Sequence, residues 1–290
     1  MNALPAELPD PLPADLGQQV ARALSEDVAG GDVTANLVPA RQRVRGRVIT
    51  REPMILCGIA WVEETFRQLD PNISLAWTLA EGARAEADAT LLTIEGPARP
   101  ILTGERTALN FLQLLSATAT EARRYADAVA GTGCTILDTR KTIPGLRTAQ
   151  KYAVRCGGAR NHRMGLYDMV LIKENHIAAA GSLTQAIGNA RRAAPRLQVE
   201  TEVESLAQLE EALVARPDIV MLDNFTLADL RTAVSRNRQV GSPVRLEASG
   251  GASLETVRAI AATGVDFISV GSITKHVHAI DLSMRLEYST

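Results

Sequence analysis

The sequence predicts an α/β protein: an incomplete, open β/α barrel of six to seven parallel strands, joined to an N-terminal α+β sandwich domain. Three observations lead there. From Cys134 onward a short β-branched stretch that ends in charged or glycine residues is followed, again and again, by a helical stretch. The strand-end markers Asp138, Lys173, Glu202, Asp223, Glu247 and Gly271 recur at roughly 20 to 35 residues, the size of one βα unit, which favours parallel strands. Aromatic residues are only 3%, so the core is built from Leu, Ile, Val and Ala, a palette suited to buried parallel strands. A doubly wound open sheet is the rival topology, and it too would place ligands at the strand C-termini.

Element by element, apolar residues at helical spacing predict a helix over Leu16 to Leu24, ended by Gly30-Gly31. β-rich stretches at Arg47 to Thr50, Ile73 to Leu79 and Thr90 to Ile94 flank a helix over Ile59 to Leu69. Gly104 opens a long Ala- and Leu-rich helix to about Ala130, stopped by Gly131 and Gly133. Residues 1–117 therefore form the N-terminal domain, to which 277–290 return, and residues 118–276 form the barrel. Its strands are Cys134 to Leu137, Met169 to Ile172, Leu197 to Thr201, Ile219 to Leu222, Val244 to Leu246 and Phe267 to Val270. Helices follow the last two glycine loops, the first over Ser253 to Thr263.

Composition narrows the function. A net charge of -2 gives no general reason to expect nucleic acid or an anionic membrane as partner. Three cysteines at long spacings match neither a disulfide framework nor a zinc ribbon. The Pro-rich, acidic start lacks the layout of a signal peptide and no apolar run reaches spanning length, so a cytoplasmic location is expected.

Charge is segregated along the barrel. Arg140 to Lys173 carries eight Lys or Arg against one acid; Val199 to Asp229 carries eight acids against one base. Arg147, Lys151, Arg155, Glu210 and Glu211 read as solvated helix faces. Arg140, Lys141, Lys173, Glu202 and Asp223 differ, because they follow apolar strands and would crowd the barrel mouth, where active sites of the fold sit. Unpaired charge there is costly unless a ligand or counter-ion compensates. With Arg160, His162 and Arg163 in the intervening loop, the cations suit carboxylates or phosphates. Glu202 and Asp223 could share Mg²⁺ or pair with Lys141 and Lys173; both readings stand. Ser249-Gly250-Gly251 and Gly271-Ser272 offer backbone N–H groups for a phosphate. Lys173 at a strand end also permits Schiff-base chemistry, and a non-catalytic phosphometabolite-binding protein would keep the same charges.

Several long motifs then resemble one family. They are Thr139-Arg140-Lys141-Thr142-Ile143-Pro144-Gly145-Leu146-Arg147, Asn161-His162-Arg163 after Gly157-Gly158, Leu171-Ile172-Lys173-Glu174-Asn175-His176, Met221-Leu222-Asp223-Asn224-Phe225 and Glu247-Ala248-Ser249-Gly250-Gly251. With Glu26-Asp27, Gly31-Asp32-Val33-Thr34, Gly104-Glu105-Arg106-Thr107-Ala108-Leu109-Asn110 and Leu282-Ser283-Met284-Arg285 they resemble the quinolinate phosphoribosyltransferases; Ala117, where that family often has Gly, is a small departure. The resemblance implies conversion of quinolinate and phosphoribosyl pyrophosphate (PRPP) to nicotinate mononucleotide, pyrophosphate and CO₂, with Mg²⁺, in NAD biosynthesis. A related enzyme acting on nicotinate is the alternative within the fold. It further implies Arg140, His162, Arg163 and Lys173 on the quinolinate carboxylates, with Thr139 in the substrate set. Lys141 and Lys173 would face the pyrophosphate, Glu202 and Asp223 the metal and ribose hydroxyls, and Ser249, Gly250, Gly251, Gly271 and Ser272 the 5′-phosphate. It implies a homodimer or higher homo-oligomer, with Arg106 crossing from the other subunit.

Overall fold

The computed structural model describes residues 11–241 and 244–288. The Pro-rich start up to residue 10 lies outside them. Two compact units emerge, one formed by residues up to 123 with 142–158 and 273 onward, the other by 124–141 with 159–272. The division falls within a long helix, six residues beyond the junction expected from sequence, and the segment 142–158 packs with the first unit.

The first unit contains α1 (Leu16–Val28), β1 (Arg43–Thr50), β2 (Met54–Ile55), α2 (Ile59–Leu69), β3 (Ser74–Trp77), β4 (Arg84–Ala85), β5 (Thr90–Pro97) and most of α3 (Ala98–Ala128). A later helix, α4 (Arg147–Cys156), and the last strand, β12 (Leu282–Tyr288), complete it. Its main sheet is antiparallel in the order β12-β1-β5-β3, with β2 and β4 as a separate ribbon. Along β1 the arginines at 43, 45 and 47 face solvent while Val44 and Val48 are buried, the period-two pattern of a half-buried strand. Val44, Val48 and Ile94 from the sheet meet Phe66, Leu109 and Leu112 from the helices in one core. A second core joins Val20 and Leu24 of α1 to Trp61, Leu115 and Tyr152. There the Trp61 indole donates to Gln19 Oε1 at 2.9 Å, so the polar tip is satisfied inside. Asp32 ends the first loop by accepting from the Thr34 and Ala35 amides and the Thr103 hydroxyl, contacts that hold its carboxyl below the usual range.

α3 begins at Ala98, six residues before Gly104. The sequence places Pro100 in the first turn, where a missing N–H costs nothing, and that is the start signal. Gly104 lies inside the helix for a packing reason. A Cβ there would come within 2.6 Å of Leu69 Cδ1 and 2.9 Å of Phe66 Cε1, on the facing side of α2. Gly104→Ala sets a helix-propensity gain of ~1 kcal/mol against an overpacking cost of ~1–3 kcal/mol. Since Phe66 is buried in the core and cannot swing away, overpacking wins, and thermal denaturation should show a melting point a few degrees lower. α4 corrects another expectation: Lys151 is fully buried rather than solvated, as is Gln150. Gln150 accepts from the Ile143 amide at 2.8 Å and donates to the Thr274 carbonyl at 2.9 Å, tying three segments of the unit together.

The second unit is a six-stranded parallel sheet, β6 (Thr135–Leu137), β7 (Val170–Ile172), β8 (Val199–Val203), β9 (Ile219–Asp223), β10 (Arg245–Ser249) and β11 (Phe267–Ser269), in the order β6-β11-β10-β9-β8-β7. This is the open barrel. On the free side of β6 the Arg160 backbone makes an isolated parallel bridge with Leu137. The helices α5 (Glu174–Ala180), α6 (Leu183–Ala193), α7 (Leu206–Ala215) and α8 (Leu227–Gln239) alternate with the strands. Ser182, Ser205 and Thr226 cap α6, α7 and α8 by accepting from a backbone amide three residues on. After β10 the structure differs from expectation. Residues 253–256 form a turn, and α9 (Val257–Ala261) starts four residues later than Ser253, while α10 (Ser272–Lys275) is a single turn.

Candidate functional site

Register decides which side chains share a face. β9 and β10 pair Asp223 with Ser249 and Met221 with Glu247; β8 and β9 pair Glu202 with Met221. Side chains alternate along a strand, so Glu200 and Glu202 point to the same side, as do Met221 and Asp223, and Glu247 and Ser249. At the C-terminal ends of these strands lies a cavity of about 320 Å³. It is lined by Thr139, Arg140, Lys141, His162, Arg163, Leu171, Lys173, Glu202, Met221, Asp223, Ser249 and Ser269. The strand-end cations and acids thus meet in one cavity. Gly250, Gly251, Gly271 and Ser272 do not line it, and Arg106, exposed on α3, belongs to the other unit.

The glycines border the cavity through backbone geometry. Gly250 has φ +95°, and a Cβ would fall 2.1 Å from Asn224 Oδ1. Gly271 lies beside Lys141, whose Cδ would be 3.0 Å from an added Cβ. With α9 delayed and α10 one turn long, these loops offer amides but no long helix dipole. Ser272 Oγ is instead 3.2 Å from the Tyr125 hydroxyl.

Lys173 caps α5 and sends its ammonium to Glu202 Oε2 at 2.5 Å. His176 serves the same cap, its Nδ1 accepting from the Lys173 amide at 3.0 Å. Carboxylate oxygens of Glu202, Glu204 and Asp223 all lie within 4.8 Å of one another. Arg140 Nε is buried without a hydrogen-bond partner among the described residues. Burial first, and the neighbouring Arg140 second, weaken the hold of Arg163 on its proton. Two guanidiniums held this close repel each other until an anion joins them.

His162 sits differently from a plain ligand-facing histidine. Its Nδ1 accepts from the Arg163 amide at 2.7 Å, and Nε2 is 3.0 Å from Glu200 Oε2 and 3.6 Å from Glu247 Oε2. Both nitrogens therefore face the protein. Fully buried Asp138 fixes this loop by accepting from the His162 amide at 2.8 Å and from Asn161 Nδ2 at 2.7 Å. Glu200, Glu247 and Asp138 were not singled out as site residues. The available signal was strand alternation, which sets Glu200 and Glu247 one interior position below Glu202 and Ser249.

Among the described residues another polar cluster, Cys57, Glu81 and Cys156, is buried in the first unit. Glu81 there accepts from the Gly58 and Ile59 amides at 2.8 and 3.0 Å and so caps α2. Its oxygens are satisfied, which gives it a structural role.

Comparison with known proteins bears on the family and the fold. The family model described as quinolinate phosphoribosyl transferase, N-terminal domain, matches residues 32–116, and the C-terminal domain model of the same family matches residues 118–285. The chain is 43% identical over 274 residues to the nicotinate-nucleotide pyrophosphorylase (carboxylating) of Mycobacterium leprae, covering 92% of this chain and 95% of that protein. It is 37% identical over 291 residues to quinolinate phosphoribosyltransferase (decarboxylating) 1 of Nicotiana glauca, covering 94% and 83%. The solved structure of the nicotinate-nucleotide pyrophosphorylase from Francisella tularensis is similar with a TM-score of 0.92 at 47% identity, over 97% of this chain and all of that one.

Proposed function

The chain belongs to the quinolinate phosphoribosyl transferase family, and from that membership we propose how its cavity transfers the phosphoribosyl group of PRPP to quinolinate with loss of CO₂, giving nicotinate mononucleotide and pyrophosphate for NAD synthesis. The observation that carries the reading is one cavity holding Arg140, Lys141, Arg163 and Lys173 opposite Glu202 and Asp223. Quinolinate brings two adjacent carboxylates and PRPP a pyrophosphate. Four cations match that anionic load, and two acids match the positive charge that develops as the glycosidic bond breaks.

Arg140 and Arg163 hold the carboxylates, with Lys173 between them and the pyrophosphate; Lys141 faces the pyrophosphate. His162, with both nitrogens engaged, shapes the subsite and anchors Arg163. The Ser249-Gly250-Gly251 and Gly271-Ser272 loops receive the 5′-phosphate. The pyridine nitrogen attacks C1 of the ribose as pyrophosphate departs, and Glu202 and Asp223 stabilise the oxocarbenium-like state electrostatically. The ring nitrogen is then cationic and adjoins C2. Loss of the C2 carboxylate as CO₂ leaves a carbanion that this charge stabilises until a proton from water takes the place of the carboxylate, so the protein's task is to hold the ring.

The acids of the cavity fit Mg²⁺, which takes one or two carboxylates and fills its shell with water and substrate oxygens. Bound there it would neutralise charge on the departing pyrophosphate. Arg106, exposed on α3, suits a contribution from a second copy in a homodimer. No helix among the described residues is long and apolar enough to cross a membrane; a cytoplasmic location is part of this proposal.

The test is release of labelled CO₂ from carboxyl-labelled quinolinate together with pyrophosphate from PRPP, at equal amounts. Pyrophosphate release with nicotinate, and none with quinolinate, would overturn the assignment.

A further inference from the structure

His162, which lines the cavity, forms a cluster with the buried Glu200 and Glu247 that the steps above do not use. Both glutamates are fully buried; Ser269 acts on Glu247, and among the described residues no well-formed hydrogen bond reaches any of their four oxygens, His162 lying beside both. Buried carboxylates in that state need an explanation.

A metal ion is the first candidate, since the three ligand atoms lie within 4.8 Å of one another. The ring's other nitrogen argues against it. Nδ1 accepts the Arg163 amide proton, so a neutral imidazole carries its own proton on Nε2. A protonated Nε2 has no lone pair for a metal, and it lies 3.0 Å from Glu200 Oε2. Two adjacent buried carboxylates cannot both stay charged cheaply. Burial, and next the charge of Glu200, push the Glu247 carboxyl well above its usual range. The Glu200 side chain acts on Arg163 in the sense opposite to Arg140.

We infer that Glu200 and Glu247 are positioning residues for the dicarboxylate subsite: through His162 they fix the Arg163 backbone, and the Glu200 carboxylate offsets the repulsion between Arg140 and Arg163. Neither touches substrate. The inference rests on the reading of the cavity as a quinolinate site, and it makes the subsite selective for a dianion.

The test uses the full-length enzyme. Glu200→Gln and Glu247→Leu should raise the KM for quinolinate and the Kd for benzene-1,2-dicarboxylate by about 10- to 100-fold, the scale on which outer hydrogen-bond partners act. The KM for PRPP should stay within about twofold. Glu247→Gln, which keeps the size and a polar end beside Glu200, should remain within about threefold of the parent enzyme. In ¹⁵N-histidine-labelled parent enzyme, the His162 resonances should report an unprotonated Nδ1 and a protonated Nε2, a readout that needs neither turnover nor a variant. A protonated Nδ1 overturns the inference, as does a folded Glu247→Leu enzyme whose two KM values stay level or rise together. Failure of the parent enzyme to release CO₂ from quinolinate would instead overturn the substrate assignment, leaving dicarboxylate binding and the His162 resonances to decide this one.

Discussion

Arg140→Ala is expected to lower kcat/KM for quinolinate by about 10²- to 10³-fold while leaving the melting temperature unchanged or slightly raised. The activity loss follows from the loss of a charged donor pair to a carboxylate in a desolvated site, a change that costs ~2–5 kcal/mol. The absence of a stability loss follows from the same geometry. Arg140 Nε is buried with no partner among the described residues, and Arg140 disfavours the charge on Arg163. Without an anion, the side chain is a liability to the fold; with one, both guanidiniums are compensated. Arg140→Lys should recover little, because a lysine offers a point charge where the planar fork meets two oxygens. Steady-state kinetics with each substrate varied, beside a thermal melt, checks both halves. A fall in melting temperature matching the activity loss would show that Arg140 holds the fold together rather than the substrate.

The contrast between that residue and its neighbours shows what the sequence could reveal. A strand that ends in Asp138-Thr139-Arg140-Lys141 announces charge at a barrel mouth, and the βα period places the other strand ends beside it. Six parallel strands and a shared cavity were legible for this reason. Local signals misled where tertiary packing overrode them. Gly104 reads as a helix start because glycine is a poor helix former, yet it sits inside α3 to let Phe66 and Leu69 approach. Lys151 reads as solvated because lysines nearly always are, yet α4 is enclosed by its unit. The glycine loop after β10 reads as a helix N-terminus, but the turn at 253–256 intervenes. Glu200 and Glu247 went unseen as site residues because one-dimensional spacing gives each strand's face, whereas their meeting with His162 depends on how a separate loop, held by Asp138, folds over the sheet.

Glu202→Gln should separate two claims made on one carboxylate. In the structure Glu202 pairs with Lys173 at 2.5 Å; during reaction it is assigned to the positive charge on the ribose and to Mg²⁺. If the ion pair were its main task, glutamine would keep much of the geometry and free Lys173 for pyrophosphate, and the KM for PRPP would hold or fall. If electrostatic stabilisation of the developing charge is its task, kcat should drop by about 10²- to 10³-fold, the cost of removing one preorganised charge or donor at a transition state. The second outcome is expected. Glu202 is nearly buried, so its charge acts through little water, whereas the Lys173 side chain is close to half exposed and can be screened. If Mg²⁺ binds these acids as proposed, its affinity should fall in parallel, since the cluster then retains Asp223 and the exposed Glu204 as its acids. Measuring kcat and the Mg²⁺ concentration for half-maximal rate in the same preparations distinguishes these contributions: a lower kcat with unchanged Mg²⁺ dependence assigns Glu202 to the ribose alone, and a shift in both assigns it to the ribose and the metal together.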